Sequence, residues 1–157
     1  MNDAPTDWKT HGIRIVRPSE RDTNTPQTDG MARTGAVTTE LTGASKLWAG
    51  TVTICAGART GAHHHGALES VIYVLEGQAR MLWGAKLEYA ADAGPGDFIF
   101  VPPWLPHKEM NASDSDILEC VLMRSDQTPV VVNLDIEGVP NPEEVTWVDP
   151  HHPPRTE

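Results

Sequence analysis

Residues 70–83 read SVIYVLEGQARMLW. The runs SVIYVLEG and QARMLWG are rich in β-branched, aromatic and apolar residues and stop at glycines, so they predict two strands. A tight hairpin turn is expected at Glu76-Gly77, with Gly84 closing the next one after Trp83. Working outward, similar short runs recur on both sides: AVTTEL, KLWAGTVTICA, KLEYAA, DFIFVPP, PHKEMN, DILECVLMR and PVVVNL. Gly, Pro, Asp and Asn separate them, and ADAGPGD supplies a further turn through Gly94, Pro95 and Gly96. No helix-length 3.6-residue pattern competes. The chain is therefore expected to be all-β, a barrel or sandwich, and without an internal repeat it is one barrel.

The 157 residues suit a single domain, long enough to remove roughly 70% of the unfolded surface from water. Residues 1–34 read as an N-terminal arm with one strand at most, near GIRIVRP; residues 35–134 form the barrel; residues 135–157 are a Pro-rich tail. The net charge of −10 argues against nucleic acid and against an anionic membrane surface, both of which demand a basic face. It leaves anionic substrates open, because one buried cation reverses the local field. The N-terminus shows no secretory pattern, and SVIYVL is too short to span a bilayer, so a soluble cytoplasmic protein is expected. Cys55 and Cys120, without CxxC spacing, read as two small buried hydrophobes.

Three of the seven histidines stand together in GAHHHGALES, residues 61–70. In an extended segment, side chains at i and i+2 share one face about 6.6 Å apart. His63 and His65 can then point into one cavity while His64 points away. Two imidazoles make a weak site, and His107, after the proline-rich corner FVPPWLP, is the best third donor. Glu69, with the strand parity of His63 and His65, is the expected fourth. Three imidazoles and a carboxylate suit one divalent transition metal (Fe, Mn, Ni, Cu, Co or Zn). Glu109 shares the parity of His107 and can reach the same pocket as an acid or base. Tyr73, Met81, Trp83, Phe98 and Phe100 are expected first as core, Asn111 as a hydrogen-bonding residue, and His151 and His152 as solvated.

The stretch GARTGAHHHGALESVIYVLEG, Gly57 to Gly77, resembles the first cupin motif, G-x5-H-x-H-x(3,4)-E-x6-G. GDFIFVPPWLPHKEMN, Gly96 to Asn111, resembles the second, G-x5-P-x-G-x2-H-x3-N. Gly57, His63, His65 and Gly77 fit the first; Gly96, Pro102, His107 and Asn111 fit the second. Trp104 replaces the glycine of the second motif, and counting back six residues from Gly77 lands on Ser70 instead of Glu69. The resemblance implies a double-stranded β-helix, or jelly-roll, barrel with one metal in its mouth, often dimeric. It is compatible with a dioxygenase-type oxidoreductase acting on a small chelating organic molecule, with a non-redox isomerase, lyase or decarboxylase, and with a non-catalytic binding protein.

Overall fold

A computed structural model of the chain describes residues 6–145. His151 and His152 lie outside the described residues. Eleven strands follow in order: β1 (Met31–Val37), β2 (Trp48–Ile54), β3 (His63–His64), β4 (Ser70–Glu76), β5 (Ala79–Trp83), β6 (Tyr89–Ala93), β7 (Phe98–Val101), β8 (His107–Asn111), β9 (Leu118–Arg124), β10 (Val132–Asn133) and β11 (Glu143–Glu144). Among the described residues helix is confined to a 3-10 turn at Pro18–Glu20 and one α-turn at Thr39–Thr42. The strands form two sheets, β1-β2-β9-β4-β7 and β10-β3-β8-β5-β6-β11, and the chain crosses repeatedly between them, as in a jelly roll. β1 begins at Met31, within the segment expected as an arm, and β11 pairs in parallel with β6 from within the expected tail.

Alternation decides which side chains enter the barrel. β2 is buried at every second residue, Trp48, Gly50, Val52 and Ile54. Register aligns these positions with Arg33 on β1 and with Leu118, Cys120, Leu122 and Arg124 on β9. The core gathers Met31, Val52, Ile54, Ile72, Val74, Met81, Val101, Leu118 and Cys120 from both sheets. Leu118 and Val74 are almost wholly inaccessible.

Three sequence expectations need correction. Phe98 and Phe100 are 70% and 58% exposed, because the inward positions of β7 are Ile99 and Val101. Phe98 stacks on Tyr73 outside the barrel, at 4.7 Å between ring centroids. Cys55 is exposed while Cys120 is buried, and both thiols are free. The Glu76-Gly77 corner is not a hairpin: β4 and β5 belong to different sheets, so Gly77 turns the chain from one layer to the other. The hairpin expected across Gly84 does form, between β5 and β6.

Gly77 has φ +89°, and a Cβ there would stand 2.4 Å from the Ile117 carbonyl oxygen and 2.9 Å from Leu118 Cα. Backbone cannot yield cheaply at that contact, and an L-residue is disfavoured at that φ. Gly77→Ala should cost at least about 2 kcal/mol and lower Tm by about 5 °C or more in calorimetry. A melting temperature unchanged within error would show the crossing to be looser than drawn.

Candidate metal centre

The site is assembled on the inner face of the six-stranded sheet, where β3 and β8 pair antiparallel with His63 opposite His107. Trp83 is the partner of His107 on its other side, and Met81 is the partner of Glu109. Residues just before β3 are laced to β8: Thr60 N donates to the Glu109 carbonyl at 2.8 Å and Asn111 N to the Ala58 carbonyl at 2.9 Å. Glu109 N returns a bond to Thr60 Oγ1 at 3.0 Å. Asn111 is buried and donates to the carbonyls of Ile54, Cys55 and Asp116, tying β2, β8 and the turn before β9.

The three imidazoles are oriented by the same device. Nδ1 of His63 lies 2.9 Å from the Gly61 carbonyl, Nδ1 of His65 2.7 Å from that of Val130, and Nδ1 of His107 2.9 Å from that of Leu105. A carbonyl only accepts, so each Nδ1 carries the proton and each Nε2 keeps a lone pair when the ring is neutral. Ring centroids lie 4.4 to 5.1 Å apart. One donor atom from each of His63, His65, His107 and Glu109 falls within 4.8 Å of all the others.

These donors fit a divalent transition ion by a test internal to the structure. His107 is 1% exposed, and its Nε2 is a buried atom without a hydrogen-bond partner. The Glu109 carboxylate lies 3.4 Å away, an ion-pair contact too long for a well-formed hydrogen bond. A buried nitrogen left so is costly unless something else takes its lone pair. The donor set, borderline nitrogen with one carboxylate oxygen, matches that demand.

Electrostatics already favour metal-ready imidazoles at two positions. Burial pushes His63 below the usual histidine range, and burial brings His65 down to about 4. At His107 burial opposes charge, but the neighbouring Glu109 outweighs it and raises the pKa. Burial likewise works against an ionised Glu109, yet His107, His63 and His65 together hold it down at about 2.

Glu69 and His64 are not part of this group. Glu69 is exposed beyond β3, its backbone exchanging hydrogen bonds with Ser125. Ser70, next to it, is 4% exposed and inward. His64 faces away, its ring 5.6 Å from that of Trp104 and its Nδ1 accepting from Gly66 N. Trp104 itself is at φ +63°, the left-handed region that the motif glycine would occupy without strain. Its indole is 62% exposed against His64 instead of walling the pocket.

A cleft of about 830 Å³ touches His107; Met81, Trp83, Val101 and Leu105 line it together with the carboxylates of Asp92, Asp97 and Glu144.

The family model described as Cupin domain matches residues 50–123. No curated protein sequence matches the chain. Among solved structures, the polyketide cyclase RemF from Streptomyces resistomycificus is similar at 20% identity, covering 80% of this chain and 87% of that one, TM-score 0.63. Oxalate oxidase in complex with the substrate analogue glycolate is 20% identical over 85% of this chain and 67% of that one, TM-score 0.60. An oxalate decarboxylase is 22% identical over 85% of this chain and 38% of that one, TM-score 0.58. Both motif stretches fall inside the matched segment and the two-sheet barrel is shared with these structures, so residues 50–123 form a cupin domain.

Proposed function

We propose that His63, His65, His107 and Glu109 hold one divalent transition metal, and that the protein is a metal-dependent oxidoreductase of the dioxygenase type acting on a small chelating organic molecule. The observation that carries the metal reading is the common orientation of the rings: three Nδ1–H groups pinned to backbone carbonyls, three Nε2 atoms converging with a carboxylate. The four protein donors would hold the ion and leave room on it for a ligand entering from the cleft. When bound, a redox-active ion supplies Lewis acidity and electron transfer to dioxygen. The chain itself orients the substrate: the carbonyl-pinned rings are held against rotation, and Trp83, Met81 and Leu105 offer apolar surface beside His107. Two of the similar structures are named for oxalate, a small chelating acid, which supports a small chelating ligand here.

The test is metal analysis of untagged protein followed by oxygen-electrode assays on Fe, Mn, Cu and Ni forms with diketones, hydroxy-ketones, catechols and keto-acids. Oxygen consumption is expected with at least one compound on the Fe(II) form, and none after His107→Ala. Turnover by the zinc form without oxygen uptake would replace the oxidoreductase by a non-redox isomerase, lyase or decarboxylase. Tight binding without turnover would leave a binding protein.

Two structural features support a homodimer. Ile13 and Ile15 are 93% and 68% exposed on the N-terminal arm, and β7 is an edge strand with outward Phe98 and Phe100. An uncovered apolar edge is a pairing surface that the arm of a second copy can close. Deleting residues 1–17, which precede β1, should convert a dimer to monomer or aggregate in sedimentation velocity; an unchanged dimer would dispose of the swapped arm. Among the described residues no helix is long and apolar enough to cross a membrane. The free thiols suit a reducing compartment and support a cytoplasmic setting.

A further inference from the structure

The inward positions of the five-stranded sheet carry two charged side chains, Arg33 and Arg124. Arg33 shares a row with Val52, Cys120 and Val74; Arg124 shares a row with Trp48, Ser70 and Val101. Their neighbours in these rows are buried, so both guanidinium stems enter the barrel. Among the described residues neither is ion-paired; the arginine that is belongs to the surface, Arg80 with Asp92 and Glu144. Arg33 donates to Thr28 Oγ1 at 2.9 Å and to Met31 Sδ at 3.7 Å. Arg124 lies over the Trp48 ring, 4.2 Å from its centroid, which holds the planar group without satisfying its donors.

Position 70 explains why Arg124 lacks a partner. Ser70 is its direct cross-strand neighbour and stands where the motif count from Gly77 places a carboxylate. Two cations that repel each other are kept inside, in a chain of net charge −10, with Glu109 as their inward counter-charge. Burial and the Arg33 charge bring Arg124 down to about 10, which still leaves it cationic at neutral pH. The Arg33 charge also acts on His63. Val101 of the Arg124 row lines the same cleft as His107.

We propose that Arg124, assisted by Arg33, is the carboxylate-binding element of this barrel, and that the ligand is a 2-oxo or 2-hydroxy acid with an apolar side arm. Its carboxylate takes the fork of Arg124 in the place that Ser70 leaves without a charge. Its 2-oxygen faces the Nε2 cluster, and its side arm follows the Met81–Trp83–Leu105 wall. The acid class rests on the metal reading above only for the 2-oxygen; the anion site stands on the arginines.

The probes are pyruvate and its uncharged methyl ester, titrated calorimetrically into wild type, Arg124→Gln and Arg124→Lys, each metal-stripped and Co(II)-loaded. A bound ion itself favours the acid over the ester, so the readout is the change in the pyruvate-to-ester affinity ratio on substitution. Arg124→Gln should lower that ratio at least ten-fold in both forms while ester affinity holds; Arg124→Lys, which keeps charge but not the fork, should fall in between. Thermal melts confirm that each variant is folded, and a misfolded Gln variant leaves the Lys variant to decide. A ratio unchanged by either substitution overturns the anion site, whatever the metal does. Failure to take up Co(II), with an Arg124-dependent ratio in the stripped protein, removes the metal reading and leaves the anion site standing.

Discussion

His107→Ala should strip the protein of its metal, lowering affinity by more than the ~10–100-fold that follows loss of an outer-shell partner. Three effects act together. One of four donors disappears, and it is the one whose Nε2 is buried without any other partner. The ring that fills the junction between β3 and β8 opposite His63 is lost as well. The Glu109 carboxylate then loses the imidazole 3.4 Å away and must reorganise. His65→Ala should lose most of the metal too, because its Nε2 is positioned by the Val130 carbonyl that leads into β10. His64→Ala should keep full occupancy, since that ring stacks on Trp104 and its Nδ1 is taken by Gly66 N. Metal content by elemental analysis after dialysis, with melting curves to show that each variant is folded, is the measurement. Equal loss at His64 would mean that the rings converge differently from the arrangement described.

The legibility of this site in the sequence follows the continuity of its strands. Period-2 counting holds only while the backbone stays extended. It works from His107 to Glu109 because β8 runs unbroken through both. It fails from His65 to Glu69 because β3 ends at His64 and Gly66 turns at φ +59°. Parity carried across that turn places Glu69 with the histidines, whereas it is exposed and Glu109 stands among the three imidazoles. The His63 and His65 pair survives because the break falls just after it.

The barrel itself is readable from short apolar runs between glycines and prolines, but the pairing of the runs is not. Nothing local distinguishes the Gly77 crossing from a hairpin; the difference is whether the next strand finds its neighbour in the same sheet, a long-range matter. Phe98 and Phe100 show the same limit. Their alternation is right, but which phase faces the core depends on the register of β7 with β4. Arg33 and Arg124 look like ordinary strand arginines until the five-stranded register places them in inward rows.

Metal uptake should release protons at pH 6 to 6.5, and Glu109→Gln should reduce that release. In the metal-free protein burial lowers both His63 and His65, and His65, at about 4, is neutral there and gives up nothing. His107 is the exception: Glu109 overcomes the burial penalty and raises it, so it holds a proton that the ion must displace. Affinity should therefore climb with pH until His107 is neutral. The stability of the metal-free protein runs the other way for this pair. A histidine raised above its unfolded value of about 6.5 contributes stability in full below that pH and loses it as pH rises through the folded value. His65, depressed in the fold, costs stability as pH falls from about 6.5 towards 4, so the metal-free protein should be most stable between these two losses. In Glu109→Gln the alkaline loss should vanish while the acid loss remains, and metal affinity should fall for want of a donor. Glu69→Gln and Ser70→Ala should change neither occupancy nor proton release. Calorimetric titrations in buffers of different ionisation enthalpy count the protons, and urea melts at pH 5, 6.5 and 8.5 follow the stability. The same proton count in wild type and Glu109→Gln would move the coupling off His107. Loss of occupancy on replacing Glu69 would return the fourth ligand to that residue.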